Sequence, residues 1–268
     1  MTIAISASLV KELREQTGAP MMDCKRALQD ANGDIEAAKR LLRERGQASA
    51  AKRAGRATAE GIVLLKTGDG RGSLVAIGCE TEPVSKNEEL RAFAERVLEA
   101  AYSTYLAEKV DDLEVERNDL IAKIGENIVI VGTVTFEAVD GGAVIEGYVH
   151  PPANKLGVLV QLRGGSPDLA RKLAMHVAAS APQWIGRDDV PEDVITSERE
   201  IFTNSDEVQS KPEQAREKIV EGMLNKRFFA DRVLTEQQWI HDTGKTVGQA
   251  LGEERAEVLE FERFALVG

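Results

Sequence analysis

Several stretches of this 268-residue chain hold residue types that can do chemistry. Gly244-Lys245-Thr246 has the ending of a phosphate-binding loop, in which the lysine reaches phosphate and the hydroxyl reaches magnesium. Such a loop also needs a glycine five positions before its Gly-Lys-Thr, and Trp239 stands there, so Thr246 reads as a helix cap. Gly68, Gly70 and Gly72 are spaced like a dinucleotide-binding turn, but no helix follows at once, which makes them a hairpin turn. His150, His176 and His241 lack metal-ligand spacing. Cys24 and Cys79 form no CxxC pair, which predicts two small buried thiols rather than a disulfide or a zinc site. Asp188-Asp189 suits the start of a surface helix, and no GxSxG occurs. The expectation is a binding protein: not an enzyme, with no catalytic residue, no metal and no cofactor.

The elements that would position a binding surface divide the chain in two. Residues 1–56 read as three short helices and a connector. The first is capped by Ser6 or Ser8, carries Leu9, Val10 and Leu13, and ends at Thr17-Gly18. Pro20 starts the second, which carries Met21, Cys24 and Leu28 and stops at Asn32-Gly33. Asp34 caps the third, which Gly46 is expected to end; Ala48 to Arg56 then forms a basic helical connector. Beyond it the period changes. Gly61–Lys66 and Ser73–Cys79 read as a hairpin, followed by a long helix striped by Leu90, Phe93, Ala94, Val97, Leu98, Ala101 and Tyr105. A second helix over about 112–124, a strand over 127–138 and a turn at Asp140-Gly141-Gly142 complete this unit. A second strand–strand–helix series follows, at 143–149, 156–162 and 166–179. Phe93, Ala94 and Val97 align with Leu173, Ala174 and Val177 at one offset, a weak internal duplication. Residues 190–227 read as a charged helical hairpin broken near Ser210-Lys211-Pro212, before a capped helix at 246–251 and a last strand over 257–267.

Charge narrows the partner. The net charge is −11, yet residues 1–56 hold 11 Lys and Arg against 7 Asp and Glu, so a basic head sits on an acidic body. An acidic body argues against nucleic acid, since neutralising phosphates takes Lys and Arg. A basic head suits an acidic patch on a protein. No apolar run reaches the roughly 20 residues that span a bilayer, and Met1-Thr2-Ile3-Ala4 lacks the basic-then-apolar start of a secretory signal, so the expected location is cytoplasmic.

The segment Leu13–Leu28 and then Asn32-Gly33-Asp34-Ile35-Glu36-Ala37-Ala38 resembles the head of the elongation factor Ts family. Further blocks agree in order: Cys79-Glu80-Thr81 through Lys86-Asn87, Ala122–Asn127, Leu156–Val160, Ala174–Ala179, Asp188–Pro191, Lys218–Gly222 and Lys245-Thr246-Val247. This resemblance covers nearly the whole chain. It implies an α+β protein: a ubiquitin-associated-like three-helix head with connector (1–56), then a first half (57–140) and a second half (141–268), related, each with an antiparallel sheet, and a projecting hairpin over about 190–227. It also implies a guanine nucleotide exchange factor for elongation factor Tu, bound in both GDP-loaded and nucleotide-free states. A homodimer through the hairpin is an open alternative to simple projection.

By the same resemblance, Arg14, Met21 and Met22 would dock the head on a Tu helix, with Lys52 or Arg53 in the connector. The family motif Thr-Asp-Phe-Val-Ala-Lys-Asn falls on Thr81, Glu82, Pro83, Val84 and onward to Asn87. Ile124, Gly125 and His150 would complete the contact with the nucleotide domain. Each has a plainer alternative: Met21 in the head core, Arg14 on a solvated face, Ile124-Gly125 as an ordinary helix end, His150 as a loop residue before Pro151-Pro152. Two adjacent methionines cannot both face inward on one helix, so at least one is expected outside, where a flexible thioether makes an adaptable contact. One departure stands out: Glu82-Pro83 replaces the family's Asp-Phe, whose Phe is the wedge near the magnesium and phosphate site. Either Val84 or Glu82 takes over the wedge, or Tu has co-varied, or the chain is a weak paralogue or a non-exchanging adaptor.

Overall fold

The computed structural model describes residues 5–103, 106–138 and 142–266. Tyr105 of the expected stripe, Asp140-Gly141 of the expected turn, Met1 to Ala4 and Val267 lie outside these residues.

The head contains helices α1 (Ala7–Thr17), α2 (Met21–Asp30) and α3 (Ile35–Arg53). Ser6 caps α1 by accepting from the Leu9 N–H, and Asp34 caps α3 by accepting from that of Ala37. Val10, Leu13, Cys24, Ala27, Leu28 and Ala38 make its small core. Gly46 does not end α3, contrary to expectation; the helix runs on through the connector to Arg53. The reason is packing. A Cβ at Gly46 would lie 3.4 Å from that of Ala122, so the missing side chain lets α3 approach the body, where Ala50 joins the first core.

The body is built of four layers. Strands β1 (Glu60–Gly68), β2 (Arg71–Cys79) and β3 (Val129–Glu137) form one antiparallel sheet; β4 (Ala143–Val149), β5 (Leu156–Arg163) and β6 (Glu257–Ala265) form another, with β2 and β5 central. Asp69 and Gly70 take the left-handed conformation at the β1–β2 turn, as its glycine spacing predicts. After β2 come α4 (Glu82–Ser85), α5 (Glu88–Tyr102) and α6 (Leu106–Ile124). Phe93, Ala94 and Val97 of α5 cover the outer face of the first sheet. Leu173, Ala174 and Val177 of α7 (Pro167–Ser180) do the same for the second. The inner faces meet in a shared core of Val63, Leu74, Ala76, Phe136, Ile145, Leu159 and Leu266. Gly72 faces Ile145 and Leu159 across it, while Gly157 faces Val63 and Leu74, so each central strand presents its second residue to the other sheet.

After α7 the chain forms α8 (Glu192–Thr203), α9 (Asp206–Gln209) and α10 (Glu213–Met223), a wider helical stretch Leu224–Phe229, and α11 (Ala230–Arg232). This expected hairpin has its own core of Val190, Val208, Val220, Met223, Leu224, Phe228 and Phe229. It joins the body where Trp184 pairs with Val233. Thr246 caps α12 (Val247–Glu253) in a capping box with Gln249, the role expected for it in place of phosphate binding.

Candidate functional site

The head presents its two methionines together. Met21 is 54% exposed and Met22 61%. The core side of α2 is buried only from Cys24 onward, through Ala27 and Leu28, so the plainer alternative of Met21 in the head core does not hold. Helical side chains lean toward the N-terminus. A first-turn Met21 therefore reaches past the end of the small core, and both methionine side chains stand exposed. Arg14 is exposed on α1, beside Lys11, Glu15, Gly18 and Lys123. Arg53 points elsewhere. It is half-buried and folds back on Ser49, donating to its hydroxyl and, at 3.3 Å, to its carbonyl. It lines a cleft of about 720 Å³ between head and α6, together with Arg43, Asp119 and Lys123. Lys52 stays exposed at the end of α3.

The expected motif Thr81–Asn87 forms a short projecting element. Pro83 sits in the first turn of α4, where its missing N–H costs nothing. Thr81, Glu82 and Pro83 are exposed, whereas Val84 packs against the first core and anchors the turn from below. Glu82 pairs with Lys86 at 2.6 Å one turn on; that partner, first by its hydrogen bond, holds the Glu82 carboxyl below the usual range, so it stays ionised at the tip. Asn87 accepts from the Glu89 and Leu90 N–H groups and starts α5.

Ile124 and Gly125 end α6 directly alongside. Ile124 packs on the core, while Gly125 takes φ +85°, with nothing within 4 Å of where a side chain would stand. That left-handed residue turns Glu126 toward the motif. Its carboxylate accepts from the Glu80 N–H (3.1 Å), the Thr81 N–H (3.0 Å) and the Thr81 hydroxyl (2.6 Å). In return the Glu80 carboxylate accepts from the Asn127 N–H at 2.6 Å and pairs with Arg56 at 3.4 Å, while the Asn127 amide donates to the Arg56 carbonyl. Glu80, Glu126 and Asn127 fall in the blocks that carry the family resemblance, but neither they nor Arg56 received a role from the sequence. The legible signal was an acidic residue just past a helix-ending glycine.

His150 is exposed at the end of β4, in hydrogen-bond contact with the Tyr148 hydroxyl at 2.8 Å. The loop after it contains a cis Pro151–Pro152 bond and returns to the first sheet: the Val63 N–H donates to the Asn154 carbonyl, and Lys155 pairs with Glu60 at 2.5 Å. Lys155 is close enough for its charge to add to the lowering of Glu82. Thr81 to Val84, Ile124-Gly125 and the His150 loop thus sit in one neighbourhood, with Arg14, Met21 and Met22 on the head that α6 carries.

The other candidate chemistry is structural. Cys24 and Cys79 are buried free thiols; burial, the leading cause, raises both, Cys79 to about 12. His176 is fully buried against Trp239. Its Nδ1 accepts from the Ile240 N–H at 3.4 Å, so Nε2 carries the proton and donates to the Gln237 Oε1 at 2.9 Å. Burial holds its pKa below the ordinary value, with His241 adding to the effect. A base with a depressed folded pKa contributes stability above its unfolded pKa of about 6.5 and loses it as pH falls through the folded value. The urea midpoint should therefore drop below about pH 6.5, at up to about 1.4 kcal/mol per pH unit for this one proton. Titrating His176→Gln beside the parent checks this: an equally steep fall in both would mean that another group is responsible.

Comparison with known proteins adds the following. The family model described as "Elongation factor TS" matches residues 80–268. Curated proteins called elongation factor Ts, from Idiomarina loihiensis, Yersinia pestis and Yersinia pseudotuberculosis, are each 44% identical over 271 aligned positions, covering 98% of this chain and 91% of theirs. The similarity therefore extends through the head.

Proposed function

The chain belongs to the elongation factor Ts family, and from that premise we propose that it binds elongation factor Tu and speeds the release of GDP during translation elongation in the cytoplasm. What most supports this reading is the grouping of Thr81–Val84, Ile124-Gly125 and the His150 loop on one side of the body, with an exposed methionine pair on the attached head. The head with its connector (1–56) and the first half (57–140) would grip the nucleotide domain. The second half (141–268) would hold another domain of Tu.

Exchange makes and breaks no covalent bond. Factor and nucleotide weaken each other's binding by one shared coupling energy. Contacts made equally well with and without GDP displace nothing, however tight they are. The head supplies such uniform grip through Met21, Met22 and Arg14. The coupling comes from groups that fit Tu only when its magnesium and phosphate site is distorted: the ionised Glu82 at the tip of α4, the end of α6 and His150.

This division of labour gives a test. Glu82 is exposed and its side chain bonds Lys86, the exposed residue that follows α4, so Glu82→Ala leaves the fold intact. It should slow factor-stimulated GDP release about tenfold while changing affinity for nucleotide-free Tu by less than about threefold. Labelled-GDP release and a binding isotherm, measured side by side, decide it; equal losses in both would sink the assignment. Pro83, exposed where the family resemblance expects an aromatic wedge, favours a second reading as a non-exchanging adaptor. The parent protein separates the two: an adaptor binds Tu and leaves GDP release at its spontaneous rate.

A further inference from the structure

We infer that Glu126 is the positioning residue of the exchange segment, and that it ties this segment to the helix on which the head rides. This rests on the exchange reading above. Glu126 is half-buried and spends its carboxylate on three donors, two backbone N–H groups and one hydroxyl, all from Glu80 and Thr81. Those residues are the last before α4, so their orientation sets where Glu82 and Pro83 point. The Glu80 carboxylate completes a reciprocal clasp on the Asn127 N–H. Hydrogen bonds to an ionised acceptor are the stronger kind, and here they hold backbone, which fixes direction as well as distance.

The placement of Glu126 gives the clasp its meaning. Ala122 and Lys123, four and three residues earlier, carry the head: Ala122 lies against Gly46 of α3, and the Lys123 side chain lies against Gly18 at the end of α1. Gly125 then breaks α6 in a left-handed turn that swings Glu126 onto the segment. Five consecutive residues, Ala122 to Glu126, thus join the head's seat to the exchange segment. Holding the tip already ordered and in register with the head cuts the freedom lost when it engages Tu, which is what a dedicated side chain supplies.

The test uses the full chain with Glu126→Ala and Glu126→Gln. GDP release from Tu is followed across factor concentrations, and amide hydrogen exchange is measured on the factor alone. Glu126→Ala should lower the limiting release rate about tenfold or more with the half-saturating concentration within about twofold, and the Glu80 and Thr81 amides should lose protection. Glu126→Gln keeps one oxygen acceptor and should recover part of both. An unchanged limiting rate, or a rate and half-saturation that worsen in proportion, overturns the inference. Should the parent itself fail to accelerate release, the exchange reading falls; the amide measurement still decides the clasp, since unaltered protection at Glu80 and Thr81 in Glu126→Ala overturns it independently.

Discussion

Gly61→Ala should destabilise the protein by about 4 kcal/mol, lowering its melting temperature by about 10 °C, although it adds one methyl group. Gly61 lies in β1 opposite Gly78 and takes φ +147°, a conformation that L side chains rarely adopt. Its Cβ would stand 2.0 Å from the Ile77 carbonyl oxygen, 2.9 Å from the Gly78 Cα and 2.9 Å from a Leu266 methyl. Two of these three are backbone, so relief requires β1 to part from β2. Strain at such a residue costs roughly 1–3 kcal/mol, and overpacking a filled site costs a similar amount. The same change at Gly222, inside α10 with nothing within 4 Å, should stabilise by about 0.5–1 kcal/mol, because alanine loses less backbone entropy in a helix. Thermal and urea unfolding of both variants check the pair; a Gly61→Ala midpoint within about 2 °C of the parent would show that β1 can shift freely.

Replacing Met21 and Met22 together by alanine should weaken binding of nucleotide-free Tu about ten- to hundredfold, with the fold unaffected. Burying a Met side chain is worth about 1.5–3 kcal/mol, of which the exposed half remains to be gained on docking, so two adjacent anchors together supply about 1.5–3 kcal/mol. Because both side chains point outward, truncating them opens no cavity. The limiting rate of GDP release at saturating factor should stay close to that of the parent, since uniform grip enters affinity alone. Calorimetric titration and stimulated release decide this. An affinity within about threefold of the parent would mean that the pair is ordinary exposed surface.

What the sequence could and could not reveal follows from the range of the interactions. Capping is local, so Ser6, Asp34 and Thr246 could be read directly, as could the left-handed Asp69-Gly70 turn between two strand-like runs. Repeating strand–strand–helix order gave the two sheets and the helices that cover them. Gly46 misled because its meaning is tertiary: a glycine at a helix end and one under a crossing helix look alike until Ala122 is seen against it. Met21 shows the limit of spacing, which left a core position open as the plainer alternative: it tells which face a residue is on, not whether the core extends that far, and Met21 lies exposed. At the site, the motif residues came through family resemblance. Glu80 and Glu126 lie in the same matching blocks, but the roles of their carboxylates were not legible there, because they act across about 45 residues of sequence and serve mainly backbone groups that carry no side-chain signature.

The shared core between the sheets bears on how the body could have arisen and how it comes apart. An ancestral three-stranded unit with one helix would have had an oily inner face left wet, and pairing with its own copy dries that face without any new element. Once fused, each copy keeps a core under its own covering helix but depends on the other for its inner face: removing one would strip Val63, Leu74 and Phe136, or Ile145 and Leu159, of their cover. The sandwich is therefore expected to melt as one cooperative block, with the head, which has its own small interior, free to loosen ahead of it.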